Sequence, residues 1–284
     1  MNVYISLTTV PDRLANWLQA KRNLISLLTQ KTQIKYSVIY NLPKICKINN
    51  SEYTITDELL KLREEYPHLI LHQLDKDYGA VTKIIGGLLY TSQPDDLLIV
   101  CDDDHVYHED MVEVHLENRR KYSNYEKFAI AFRGDTPIDK RGWTENNQSK
   151  YVLHISPGVT FPVLCDTRVL IPAHWHSVSY TRNIFDDTFL SEDFLKNATG
   201  DDTLAGLYLK QKRIPIFCVY HNNFGDLRPV NKLSRTSSSF PIKEQLPFNE
   251  SGFYHYRTGD VGAAGYIDKN AYAYLFNCDE VYDE

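Results

Sequence analysis

The stretch that most constrains this chain is Leu97-Leu98-Ile99-Val100-Cys101-Asp102-Asp103-Asp104-His105. Five apolar residues in a row read as a fully buried strand, and they end abruptly in three carboxylates. Adjacent carboxylates repel one another and are costly to desolvate, so a fold that keeps them at the mouth of a buried strand places something cationic there. Carboxylates together with water and phosphate oxygens suit hard Mg²⁺ or Mn²⁺. In open α/β sheets, ligands bind beyond the carboxyl ends of the strands. The stretch therefore points to a divalent metal bridging to a phosphorylated ligand. The triplet alone leaves a plainer reading open, a solvated acidic turn with Glu109-Asp110 capping the next helix.

Strand and helix patterns alternate around it. Val3 to Leu7 reads as a strand, Arg13 to about Thr29 as a helix with Asp12 as its N-cap, and Tyr36 to Leu42 as a second strand. Thr56 caps a helix over Asp57 to Glu65. Leu69 to Leu71 is a strand and Val81 to Leu89 a helix with Lys83 in its first turn. After Leu97 to Cys101 come a helix from Glu109 to about Tyr122 and a strand from Phe128 to Phe132. This rhythm implies βαβ units and a mostly parallel sheet with helices on both faces. Beyond residue 132 it fades. Short strands fit Val163 to Ile171, a weak helix Phe185 to Leu195, a sharply started helix Asp202 to Lys212, a strand Ile214 to Tyr220, and a short helix Asn270 to Asn277. Residues 222–251 read as a long polar loop, which in a compact domain is usually functional or disordered. No repeat or linker divides the chain, so one domain is expected.

Composition limits the function. The 284 residues, 43% hydrophobic, suffice for one large α/β domain. A net charge of −6 without basic runs argues against nucleic acid as the main partner. Cys46, Cys101, Cys165, Cys218 and Cys278 lack paired spacing and read as reduced core residues. With no signal peptide and no apolar run of membrane-spanning length, the expectation is a soluble cytoplasmic protein without an integral membrane segment.

Four chain segments stand at element ends: Thr8-Thr9-Val10-Pro11, Lys76 to Lys83 with Asp77-Tyr78-Gly79, the Asp triplet, and Gly200-Asp201-Asp202. Their order resembles the metal-dependent, DxD-containing nucleotide-sugar glycosyltransferases of the GT-A fold, in the family 2-like group. Here the acidic pair is Asp-Asp where the family more often has Glu-Asp, and the turn after the first strand departs from the commonest wording. The resemblance implies a single GT-A-type (Rossmann-like) domain, with a nucleotide-binding half over 1–132 and an acceptor half over 133–284. It implies transfer of a sugar, with inversion, from a uridine-type nucleotide diphosphate donor to a hydroxyl acceptor such as a glycan.

The resemblance also assigns roles. Asp104 would bind Mn²⁺ or Mg²⁺, and Asp102 the metal or the ribose, with Asp103 between them. His221 would be a further metal ligand, with His255 as its runner-up. Thr8, Thr9, Arg13, Asp77 and Lys83 would face the nucleotide. Asp202 would be the general base, a role that needs a carboxylate near the acceptor hydroxyl, with Asp201 beside it; plain N-capping is the alternative for that pair. Gly158 to Pro162 with Asp135, Trp143 and Trp175 would line the sugar pocket. Arg228, Lys232 and Arg235 would close over the diphosphate. His105 and His108 read as incidental rather than as a zinc pair. Two other classes stay open: a metal-dependent nucleotidyltransferase or phosphohydrolase, and a binding module without catalysis.

Overall fold

A computed structural model describes residues 1–137, 152–155, 167–197, 200–219 and 242–245. In chain order these form β1 (Val3–Thr8), α1 (Pro11–Ala15), α2 (Trp17–Leu28), β2 (Tyr36–Pro43), α3 (Asp57–Glu65), β3 (Leu69–Leu74), α4 (Thr82–Tyr90), β4 (Leu97–Val100), β5 (His105–Tyr107), α5 (Met111–Lys121), β6 (Ala129–Ala131), β7 (Gly134–Pro137) and β8 (Val152–Ile155). There follow β9 (Thr167–Val169), β10 (Ile171–Pro172), β11 (Val178–Thr181), α6 (Asp187–Leu190), α7 (Glu192–Leu195), α8 (Asp201–Gln211), β12 (Ile216–Cys218) and β13 (Ile242–Gln245). Eight strands make one sheet in the order β3-β2-β1-β4-β11-β6-β12-β9. β3, β2, β1 and β4 run parallel, as do β6 and β12. β11 enters antiparallel between β4 and β6, and β9 antiparallel beside β12. The chain is thus an α/β protein with a large, mostly parallel central sheet flanked by helices. Among the described residues no helix is long and apolar enough to cross a membrane.

The unbroken apolar run at β4 is explained by burial on both faces. Leu97, Ile99 and Cys101 pack with Leu24 and Leu27 of α2 and with Met111 and Val112. Leu98 and Val100 point the other way, into a layer with Ile84, Ile85 and Leu88 of α4 and Leu204 and Leu207 of α8. Successive strand residues alternate faces, so the strand hands alternate residues to two separate helical layers.

Several expected elements form with shifted bounds, and some differ in kind. The long first helix breaks at Asn16, whose ψ of 67° leaves the helical range. Pro11 occupies the first helical position, which suits its fixed φ and missing N–H, so Val10 rather than Asp12 is the N-cap. Thr56 caps α3 as expected, accepting from Leu59 N at 3.3 Å. The weak helix over 185–195 is two single turns, α6 and α7. Within the expected 222–251 loop, residues 242–245 form a strand on β5. The remainder of that loop, Gly158 to Pro162, Trp143 and Asn270 to Asn277 lie outside the described residues.

Close packing of α4 brings the site together. A methyl group added at Gly86 would lie 2.0 Å from Asn41 Oδ1, and one at Gly87 2.6 Å from Leu98 Cδ1. Asn41 has little room to yield, because its Nδ2 donates to Ser6 Oγ (2.8 Å) and Leu7 O (2.9 Å), and its Oδ1 contacts His72 Nδ1 (3.0 Å). Ser6 Oγ in turn donates to the Lys83 carbonyl at 2.6 Å, which ties the first turn of α4 to β1. Gly86→Ala should therefore destabilise the fold by about 1–3 kcal/mol, as overpacking does, despite the helix-propensity gain of about 1 kcal/mol. Urea unfolding measures this, and a variant as stable as the parent chain would contradict it.

Candidate functional site

The two-residue alternation of β4 carries past its end far enough to part Asp102 from Asp103, and the chain bends at 103–104. Asp102 falls on the α4 and α8 side, where the Lys83 ammonium contacts its Oδ1. Asp103 falls on the opposite side, where Thr9 Oγ1 donates to its Oδ2 at 2.5 Å and the Arg13 guanidinium contacts Oδ1. Asp104 sits between Arg13 Nη2, at 3.5 Å from its Oδ2, and His105 Nδ1, at 2.6 Å from its Oδ1. That last pair touches without hydrogen-bond alignment, which leaves both atoms with no aligned partner. The turn is braced from below: Asn23 Nδ2 donates to the carbonyls of Asp102 (3.0 Å) and His105 (2.8 Å), and Asp102 N donates to Tyr107 OH (2.9 Å).

The acidic pair meets the triplet through Lys83. Its ammonium, with a side chain only 5% exposed, touches Asp102 and lies 2.7 Å from Asp201 Oδ2. From the other side His174 Nδ1 lies 2.7 Å from Asp201 Oδ2 and 2.5 Å from Asp202 Oδ1. His174 belongs to a single helical turn, His174–His176, between β10 and β11. Neither aspartate caps α8: Gly200 is the N-cap and no side chain caps there. The plain capping alternative is thereby removed.

Charge separates the two aspartates. Burial alone would raise Asp201, but Lys83 and then His174 hold it far below the usual carboxylate range. Asp202 is raised by burial and by the neighbouring Asp201 charge, against the pull of His174. Its side chain is 36% exposed against 12% for Asp201, so Asp202 is both the more basic and the more accessible. Burial draws Lys83 and His174 toward their neutral forms, yet the carboxylates win. Lys83 is raised, and His174 reaches about 9. At the triplet, burial lifts Asp103 despite Arg13, whereas His105 and Arg13 outweigh burial and lower Asp104 to about 2. His105 is raised, its burial overcome by Asp104.

The structure brings Asp102, Asp104, Lys83, Asp201 and Asp202 to one mouth of the sheet and places the other expected residues differently. Asp103 has both oxygens hydrogen-bonded, Oδ2 by Thr9 and Oδ1 by Arg13. Arg13, with a side chain 15% exposed, pairs with Asp103 and Asp104. Thr8 Oγ1 donates to Asn41 O at 2.9 Å. Asp77 shapes the turn before α4, accepting from Gly79 N (2.8 Å), Thr82 Oγ1 (2.9 Å) and Lys47 N (2.8 Å). Gly79 supplies that turn's φ of 73°. Trp175 is no open sugar platform: the Arg133 guanidinium lies 4.6 Å from its ring centre and the His105 ring 5.5 Å away. His221, His255, Arg228, Lys232 and Arg235 lie outside the described residues. His174 went unrecognised in the sequence because its partners stand 27 and 28 positions away, with no motif spacing to join them.

Two tests bear on a metal. Asp104 Oδ1 is a buried carboxylate oxygen without an aligned partner, and Asp102, with a side chain 29% exposed, opens toward solvent. Hard oxygen donors of this kind suit Mn²⁺ or Mg²⁺. His174, Asp201 and Asp202 also converge, with candidate ligand atoms within 4.8 Å of one another. There His174 Nδ1 lies against both carboxylates, and the Lys83 ammonium lies 2.7 Å from Asp201 Oδ2. A groove of about 400 Å³ along α2 and β5 contains none of the acidic cluster, and its Arg22 and Lys243 pair with Glu244 and Glu109. No known family model matches this chain, and no curated protein does.

Two buried histidines set opposite pH arms. His174 is raised from 6.5 to about 9, so its contribution to stability is full below pH 6.5 and is lost as pH rises through 9. His115, driven down to about 3 by burial and then by Arg119, contributes above pH 6.5 and loses that contribution as pH falls through 3. Unfolding free energy measured by urea across this range should decline from pH 6.5 toward 9, and His174→Gln should flatten that alkaline arm. Rising stability over the same interval would contradict the assignment.

Proposed function

We propose that the protein is a glycosyltransferase that moves a sugar from a nucleotide diphosphate donor to a hydroxyl acceptor with inversion at the anomeric carbon. The observation that carries this reading is the Lys83 bridge, which joins the carboxylate ending β4 to the carboxylate pair opening α8. Two acidic motifs about a hundred positions apart thus share one mouth of a parallel sheet, the end where ligands of such sheets bind. The four parallel strands β3, β2, β1 and β4 support a nucleotide-binding, GT-A-like half.

Each residue then has work that its surroundings suit. Asp102 and Asp104 would hold Mn²⁺ or Mg²⁺, which supplies positive charge against the diphosphate leaving group. Lys83 pairs with Asp102 and Asp201, and Arg13 with Asp103 and Asp104. Asp202 takes the proton of the acceptor hydroxyl as its oxygen bonds to the anomeric carbon. The bond from that carbon to the diphosphate breaks, and its electron pair leaves with the diphosphate. One displacement inverts the centre. Asp201 stays ionised between Lys83 and His174 and takes no proton.

The test is a pair of variants assayed with Mn²⁺ and a panel of nucleotide sugars. Asp202→Asn should keep its fold and lose about 10²–10⁴ in turnover, the worth of general base catalysis. Asp201→Asn leaves two buried cations short of a partner and should lose about 3–5 kcal/mol of stability instead. NMR of the product's anomeric proton should show inverted configuration. Release of nucleoside monophosphate rather than diphosphate would favour the nucleotidyltransferase class, and equal turnover losses in the two variants would remove the base assignment.

A further inference from the structure

His174 is 0% exposed, in contact with both aspartates of the acidic pair, and absent from the chemistry above. Its role can be argued from how it grips Asp202. The main-chain N–H of His174 donates to Asp202 Oδ1 at 2.9 Å, and its Nδ1 meets the same oxygen at 2.5 Å. One carboxylate oxygen thus receives two bonds from one residue. No partner for Asp202 Oδ2 is found among the described residues, although the side chain is 36% exposed.

The far side of the ring is fixed as well. His174 Nε2 lies 2.8 Å from Tyr180 OH, and Tyr180 is wholly buried on β11 next to β4. The turn that carries His174 is closed by Ser177 N donating to His174 O at 2.8 Å, with Ser177 at a φ of 66°. A non-glycine residue at that φ persists only where its surroundings hold it. Here the Ser177 hydroxyl is paired with His115 Nε2 of α5 at 2.9 Å. Ring, turn and strand therefore fix one orientation of His174.

Resting on the reading of Asp202 as the base, we propose that His174 is a positioning residue, oriented by Tyr180, that clamps Asp202 through Oδ1 and leaves Oδ2 as the proton-accepting atom. The charged and titratable groups facing it are Asp201 and Asp202 from α8 and Tyr180 from β11, with Lys83 of α4 across Asp201. The raised His174 agrees with a cation held against both carboxylates.

Three substitutions separate positioning from mere packing. His174→Asn keeps a donor where Nδ1 stood, His174→Gln offers one only near Nε2, and Tyr180→Phe keeps the volume and removes the hydroxyl. Each is checked for folding, then assayed for kcat and donor KM, and the Asp202 carboxyl carbon is followed by ¹³C NMR against pH, assigned by its disappearance in Asp202→Asn. His174→Gln should lower kcat about 10- to 100-fold, part of what a well-placed base is worth, with donor KM nearly unchanged. His174→Asn should recover most of that loss. Tyr180→Phe should lower kcat by less than His174→Gln does, within the roughly 10²-fold that a misplacement of about 1 Å costs. In the Gln variant the Asp202 midpoint and the acid limb of kcat/KM should both move to higher pH, because a cation has gone. Equal losses in Asn and Gln, or an unmoved Asp202 midpoint, would overturn the proposal. If neither His174 variant folds, Tyr180→Phe decides by the same two readouts, with unchanged kcat and midpoint overturning it. If the parent chain transfers no sugar from any donor, the glycosyltransferase reading fails on its own, while the NMR midpoint still decides whether His174 holds Asp202.

Discussion

The Lys83 ammonium, buried between Asp102 and Asp201, is the contact on which the rest of the mouth depends. Five carboxylates gather there, and among the described residues Arg13, Lys83, His105 and His174 are the basic side chains set against them. Buried charges survive only when paired, so Lys83 must arrive at one depth and in one direction. Its reach is set far from the charges, by Gly86 and Gly87 lying against Asn41 and Leu98 and by Ser6 gripping the Lys83 carbonyl. The polar chemistry of the mouth is therefore inherited from close packing one helical turn away.

The same cations divide labour among chemically identical side chains. Asp103 and Asp201 are the inward members of their motifs, with Arg13 against the first and Lys83 and His174 against the second. Asp102 and Asp202 are the outward members, with side chains 29% and 36% exposed. A group that must exchange ligands or protons needs access, and a group that holds the frame needs burial. Environments that push paired carboxylates apart in basicity are how a site assigns acid and base roles. Here the inequality between Asp201 and Asp202 arises from which of them Lys83 touches.

Much of this was legible in the chain. The run at 97–101 announced a strand covered on both faces, and a period of two carried beyond it accounts for Asp102 and Asp103 parting to opposite sides. Thr56 and the first-turn place of Lys83 were read correctly because caps and helical spacing are local. What escaped was non-local or polar. β11 is Val-Ser-Tyr-Thr, with a buried serine where an apolar residue would have marked a central strand. β5 and β13 are short, and each has meaning only through the other. His174 joins Asp202 across a gap that no spacing rule covers. Asp77 looks like a ligand in sequence because turn-making and ligand-binding use the same polar residue types; its hydrogen bonds brace the turn before α4, while the Thr8 hydroxyl ties β1 to β2.

With a divalent cation, Asp102 and Asp104 would form the place where a nucleoside diphosphate binds. Calorimetric titration of uridine diphosphate into the protein tests it most directly, with Mn²⁺ present, with chelator instead, and with Asp104→Ala in place of the parent chain. Saturable binding is expected with Mn²⁺ and should be abolished by chelator and by Asp104→Ala, while the variant keeps its fold. Binding of equal strength in chelator, or undiminished in Asp104→Ala, would contradict it.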